Sequence, residues 1–385
     1  MSVPFFDLSG QSRQLQAELE AAVKEVLASG SYILGRRVAA FEDALAKRCG
    51  CRFGVGVNSG TDALEFALRA CGVGLGDEVI VPAFTFMATA LAVTSVGATP
   101  VLADIEEASY GIDVEDAARR LSPKTKAIIP VHLYGQPCEI DGILQLAARH
   151  RLPVIEDCAQ AIGATSQARP VGSFGSIGCF SFYPTKNLGA AGDGGAIVTS
   201  DEAIASRLAL QRNYGTKDKV HYELFGRNSR LDELQAAILL VKLRHLDAWN
   251  EARRTRAGWY RDAFAQEGSE GIVLPQEAPG RRHVYHLFVV RVRERERVQQ
   301  ALAARGVHTM VHYPRPLHLD SLYQERAARA GLFPRAEAAA QEVLSLPMYP
   351  ELSREAIITV VRALKDVVRG SKGSHSESVG GRAAR

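Results

Sequence analysis

None of the six cysteines (Cys49, Cys51, Cys71, Cys138, Cys158, Cys179) sits in a CxxC pair, and the ten histidines show no HExxH or similar spacing. A redox dithiol and a zinc site are therefore not expected, and buried reduced thiols are. The chain has no run of about 18 apolar residues, so no membrane-spanning helix is expected. The opening MSVPFFDLSGQSR lacks the basic start and apolar segment of a secretory leader. A cytoplasmic protein is the expectation. Tryptophan (2) and methionine (4) are scarce, and the net charge is only +3 with no basic stripe, so nucleic acid is not an expected partner. Internal repeats are absent.

With 385 residues, the chain has room for a large domain and a smaller one. Helical periodicity runs over 14–28 and 36–49. Seven short runs read as strands: Phe53–Val57, Glu78–Val81, Thr99–Ala103, Lys126–Val131, Pro153–Glu156, Ile177–Phe182 and Gly195–Thr199. Helical segments at 85–96, 113–121 and 139–150 separate most of them. That alternation predicts an α/β fold with a mostly parallel, seven-stranded sheet covered on both faces. Leu231–Arg256 reads as one long helix, and the domain boundary is placed near 250. Beyond it, the strand His283–Arg291 and helices over 295–305, 334–345 and 353–368 predict a smaller α+β domain, 251–370. The tail 371–385 is small and polar and reads as disordered.

Ligands of parallel sheets collect at the carboxyl ends of strands, and polar residues punctuate those ends here. Asn58-Ser59-Gly60-Thr61-Asp62 precedes a helix, as either an ordinary N-cap or a phosphate cup. Phe86 could stack on a flat ring or simply fill the core. Asp157 closes the run PVIED, where a buried carboxylate needs either a cationic partner such as a pyridinium nitrogen or hydrogen bonds from backbone N–H groups. Gln160 follows three residues later, within reach of a ring hydroxyl. Ser181 could join the cup. Lys186, past the apolar run Ile177–Phe182, is placed to meet a carbonyl cofactor. Together these point to pyridoxal 5'-phosphate. His286 alternates with apolar neighbours and reads as structural, and Gly192–Gly195 reads as a tight turn.

NSGTDAL, VIEDCAQAIGA, SFYPTKNLGAAGDGGA and GRNSRLDELQAAIL resemble the DegT/StrS type of nucleotide-sugar aminotransferase, over roughly residues 4–365. The resemblance implies a fold-type-I transferase in which Lys186 bonds the cofactor, Asp157 pairs with its ring nitrogen and Gln160 with its hydroxyl, and Phe86 stacks. Gly60, Thr61 and Ser181 would hold the phosphate. Asn228 would reach the phosphate of a neighbouring subunit, which implies a homodimer with shared sites. L-glutamate would donate the amino group to a nucleotide-linked keto-sugar. VHLYGQP, VHYPRPLHL and Tyr183 resemble enzymes that aminate C3 of dTDP-linked 3-keto-6-deoxyhexoses. Tyr183, His312, His318, Tyr32 and Arg230 are the candidate substrate contacts. Alternatives are amination of a UDP-3-keto-hexuronate, a sugar C4 or aminocyclitol aminotransferase and, from another class, a cofactor-bearing regulator without turnover.

Overall fold

The seven expected strands all form, in a computed structural model that describes residues 2–323 and 331–376. They are β1 (Phe53–Val57), β2 (Glu78–Pro82), β3 (Thr99–Ala103), β4 (Thr125–Ile128), β5 (Ile155–Asp157), β6 (Ile177–Ser181) and β7 (Gly195–Thr199). One ladder runs β1-β7-β6-β5 and another β3-β2-β4. Isolated parallel bridges, Ile128 to Val154 and Val131 to Asp157, join them. The combined order is β1-β7-β6-β5-β4-β2-β3. Only β7 runs antiparallel to its neighbours. The reason lies in the connection. From β6 to β7 the chain passes through residues 182–194, which hold no crossover helix, and it reverses direction there. Five strand ends and the loop carrying Lys186 therefore face the same side.

Burial follows the Val/Ile pattern of the strands. Val57, Val79, Val81, Ile155, Ile177 and Ile197 are buried in cores beside the helices Gly60–Ala70 and Met87–Ser95. A second core gathers Phe264, Phe288, Val290, Leu344, Ile357 and Leu364 around a three-stranded antiparallel sheet of Ile272–Val273, Phe288–Val292 and Val343–Leu346. Val3 belongs to this second core and bridges Val307, so the first residues join the C-terminal part of the chain.

Four expectations change. The stretch 231–256 is two helices, Glu233–Leu243 and Leu246–Glu267, broken at Arg244 and His245. The second passes position 250 without interruption, and a division there stands as a proposal. The expected strand His283–Arg291 starts only at Phe288, because Tyr285 adopts a positive φ of 44°. The expected helix 334–345 ends at Glu342, and Val343–Leu346 instead pairs with Phe288–Arg291, which buries its β-favouring residues. The final helix continues to Ser376. The rest of the expected tail, 377–385, lies outside the described residues.

Candidate active site

A cleft of about 390 Å³ opens at the carboxyl ends of the parallel strands. Gly60, Thr61, Phe86, Asp157, Gln160, Ser181 and Lys186 line it, as do Tyr183 and His312.

The anion end of the cleft is built by β1 and the helix that follows it. Ser59 caps Gly60–Ala70, its hydroxyl accepting the Asp62 N–H at 3.1 Å. It is thus the ordinary cap, and Gly60 and Thr61, the next residues of the first turn, line the cleft at the positive end of the helix dipole. Gly60 has to be glycine. A Cβ there would lie 2.7 Å from the Ser181 Cβ, so its absence lets the cup close on the Ser181 side.

The opposite end is set by β5. Alternation along the strand sends Glu156 and Asp157 to opposite faces. Glu156 is fully buried and satisfied by the N–H groups of Gly172, Phe174 and Gly175 and by His132 Nε2 at 3.0 Å. Asp157 faces the cleft. The Thr89 hydroxyl donates to its Oδ2 at 2.9 Å and the Ala159 N–H to its Oδ1 at 3.1 Å. Burial raises its pKa, with those donors, Lys186 and His132 opposing. A buried carboxylate without a full counter-charge suits a cationic ring nitrogen.

Lys186 is partly buried among the cleft residues, and desolvation pushes its ammonium down to about 8 against the pull of Asp157. Gln160 accepts the Tyr134 N–H at 2.7 Å and donates to the Tyr313 hydroxyl at 3.1 Å. Its amide orientation is therefore fixed, with the NH₂ end toward Tyr313. The Phe86 ring is 57% exposed, with Tyr313 5.6 Å away. An uncovered aromatic face, a donor, a carboxylate, an amine and an anion cup fit pyridoxal phosphate.

Several expected contacts lie elsewhere. His318 is fully buried with Nε2 held by Glu337 at 3.0 Å, so it cannot meet a ligand in the cleft. Tyr32 and Arg230 do not line this cleft either; the Tyr32 carbonyl accepts the Glu233 N–H, and Arg230 bonds Asn213. Asn228, expected to serve a neighbouring subunit, is exposed and lies outside its own cleft. Conversely, His286, expected to be structural, lines the cleft. Thr89, Thr185, Asp193 and Tyr313 belong to the site or its support and were not singled out as site residues from sequence. Helical spacing was the available signal for Thr89, one turn after Phe86.

The fold and this cleft define a pyridoxal-phosphate-dependent transferase of fold type I. Residues 13–365 match the DegT/DnrJ/EryC1/StrS aminotransferase family, and the chain belongs to it. It is 47% identical to dTDP-3-amino-3,4,6-trideoxy-alpha-D-glucose transaminase of Streptomyces venezuelae, over 94% of this chain and 96% of that one. It is 45% identical to UDP-N-acetyl-3-dehydro-alpha-D-glucosamine 3-aminotransferase of Acidithiobacillus ferrooxidans, over 96% and 99%. Among solved structures, S. venezuelae DesV superposes with a TM-score of 0.92 at 47% identity, covering 95% of this chain and 98% of that one. NtdA of Bacillus subtilis, solved with its cofactor PMP, gives 0.89 at 34%, covering 96% and 85%.

Proposed function

We propose that this aminotransferase moves an amino group from L-glutamate to C3 of a dTDP-linked 3-keto-6-deoxyhexose. The observation that carries the chemistry is a partly buried amine, Lys186, sharing a cleft with a buried carboxylate, Asp157. When bound, pyridoxal phosphate supplies an electron sink for the negative charge left at the amino acid's Cα. The protein's own groups do the rest. The N–H groups of Gly60 and Thr61 and the Ser181 hydroxyl would hold the cofactor's phosphate. Asp157, which Thr89 keeps aimed, would keep the ring nitrogen protonated. Gln160 would offer its NH₂ to the ring oxygen, and Phe86 would support one face. Lys186, its pKa lowered by desolvation to about 8, takes the proton from one carbon and returns it to another. Glutamate leaves as its 2-oxo acid in the first half-reaction, and the keto-sugar leaves as an amine in the second.

The sugar assignment is supported by the dTDP-sugar relative and by Tyr183 and His312, which line the same cleft. The UDP-sugar relative supports a second reading, amination of a UDP-linked 3-keto sugar. A homodimer is part of the proposal: Asn228 lies outside its own cleft, and Tyr214, Val220, Tyr222 and Phe225, just before it, expose apolar surface that a second copy would cover. A cytoplasmic location is also proposed; among the described residues no helix is long and apolar enough to cross a membrane.

Adding L-glutamate to the coloured protein should bleach its visible absorbance. The bleached protein should then regain colour with a 3-keto dTDP-sugar, and the reverse reaction should favour dTDP- over UDP-linked 3-amino sugars. Colour unmoved by glutamate would leave the regulator without turnover as the reading. A preference for UDP sugars would replace the nucleotide assignment.

A further inference from the structure

The pattern VYHLFVV would hide His286 along a strand, yet the chain spends strain to turn it into the cleft. Tyr285 sits at φ 44°, an uncommon conformation for a bulky residue. The bend is held from three sides. The Val284 N–H donates to the Gly135 carbonyl at 2.9 Å and the Leu287 N–H to the Tyr134 carbonyl at 3.2 Å. The guanidinium of Arg253, itself buried, donates to the carbonyls of Tyr285, His286 and Met348 at 3.2, 3.2 and 3.0 Å.

The ring's tautomer follows from its neighbours. Asn187, adjacent to Lys186, donates from Nδ2 to the Asn250 Oδ1 at 2.8 Å and to the Val284 carbonyl at 3.1 Å. Its Oδ1 must then accept from His286 Nδ1, 3.1 Å away. Nδ1 carries the proton, and Nε2 is left as a lone pair with no hydrogen-bond partner among the described residues. Burial keeps this imidazole neutral, and so do the positive or potentially positive groups around it, Lys186, Arg253, His312 and His283. A neutral acceptor lining the same cleft as an amine is a seat for that amine's N–H.

We propose that His286 is a positioning residue for Lys186, its Nε2 accepting an N–H from the lysine amine whenever that amine is not bonded to the cofactor. Fixed to Asn250 through Asn187, the imidazole would hold the freed amine over the reacting carbons and stop it from swinging away. The inference rests on Lys186 as the reacting amine.

Two substitutions separate the two ring nitrogens. His286→Asn retains a donor near Nδ1 for Asn187 and removes the acceptor at Nε2. His286→Gln places a polar group near Nε2. In the full-length holoenzyme, His286→Asn should keep its melting temperature and its KM for glutamate. Its single-turnover amino transfer should slow by about 10- to 100-fold, the scale of a misplaced reacting group. His286→Gln should recover part of that loss. Independently of turnover, ¹⁵N NMR of histidine-labelled wild-type holoenzyme should show His286 protonated at Nδ1 and bare at Nε2, with the Nε2 resonance moving when glutamate frees Lys186. Equal losses in both variants, a wild-type rate in His286→Asn, or an Nε2-protonated ring would overturn the proposal. A wild-type enzyme that glutamate does not bleach would refute the aminotransferase reading itself, while the tautomer measurement would still decide the state of the ring.

Discussion

The backbone N–H of Tyr134 donates to the Gln160 Oε1 at 2.7 Å and thereby decides which end of that amide enters the cleft. A backbone N–H can only donate, so the Gln160 NH₂ is left facing the Tyr313 hydroxyl, and under the proposed function it would also donate to the cofactor's ring oxygen. Gln160→Glu preserves the acceptor for Tyr134 and removes the donor. The variant should fold with an unchanged thermal midpoint, yet lose about 10- to 100-fold in the glutamate half-reaction, the scale of one well-placed donor. Stopped-flow absorbance measures it; a loss under about twofold would remove Gln160 from the ring contacts.

Asp157 is the next test, because its two hydrogen bonds come from groups that a neutral amide could partly satisfy. Asp157→Asn should therefore leave the fold intact while abolishing the charge opposite the ring nitrogen. A buried ion pair broken by loss of one member costs about 3–5 kcal/mol. Falling on the transition state, that amounts to a rate loss of roughly 10²- to 10⁴-fold. Thr89→Val removes only one donor to the same carboxylate and should cost about tenfold, in line with a hydrogen bond to a charged group. A ranking with Thr89→Val worse than Asp157→Asn would contradict the assignment.

At the other end of the cofactor, Gly60→Ala drives a methyl to 2.7 Å from the Ser181 Cβ. Overpacking of this kind costs about 1–3 kcal/mol. Here it should appear as cofactor affinity weakened roughly tenfold to a hundredfold. Fluorescence titration of stripped protein with pyridoxal phosphate checks this. Undiminished affinity would mean that the cup does not close between Gly60 and Ser181.

How much of this could be read beforehand depends on the kind of signal. Lys186, Asp157, Ser181, Gly60 and Phe86 lie at or just past strand ends, where a local pattern of apolar run and polar stop locates them. All seven strands of the sheet were legible for the same reason. Contacts made across the fold left no such mark. Val343–Leu346 carries a helical period into a strand because its partner Phe288–Arg291 is about fifty residues away. His286 leaves the strand pattern only because Gly135 and Arg253 hold its backbone from outside the segment. His318 looked like a substrate contact in VHYPRPLHL, but Glu337 draws it into the interior. Tyr32 and Arg230 were candidate substrate contacts, and no residue pattern could say that they lie outside this cleft.

Lys186 also leaves a signature in stability. Burial lowers its pKa from 10.5 to about 8, with Asp157 pulling the other way. A lysine whose folded pKa lies below its unfolded one destabilises the fold while it is charged. Above about pH 8 the folded chain has released that proton and the unfolded chain still holds it, so stability rises with pH until about 10.5. The gap corresponds to roughly 3 kcal/mol. Lys186→Met removes the cation and fills the same space. Stripped of cofactor, the variant should be more stable than wild type at pH 7, with the advantage shrinking between pH 8 and 10.5. Urea unfolding of both proteins across that range measures the difference, and an advantage that does not change with pH would show that the Lys186 amine is not buried as a cation.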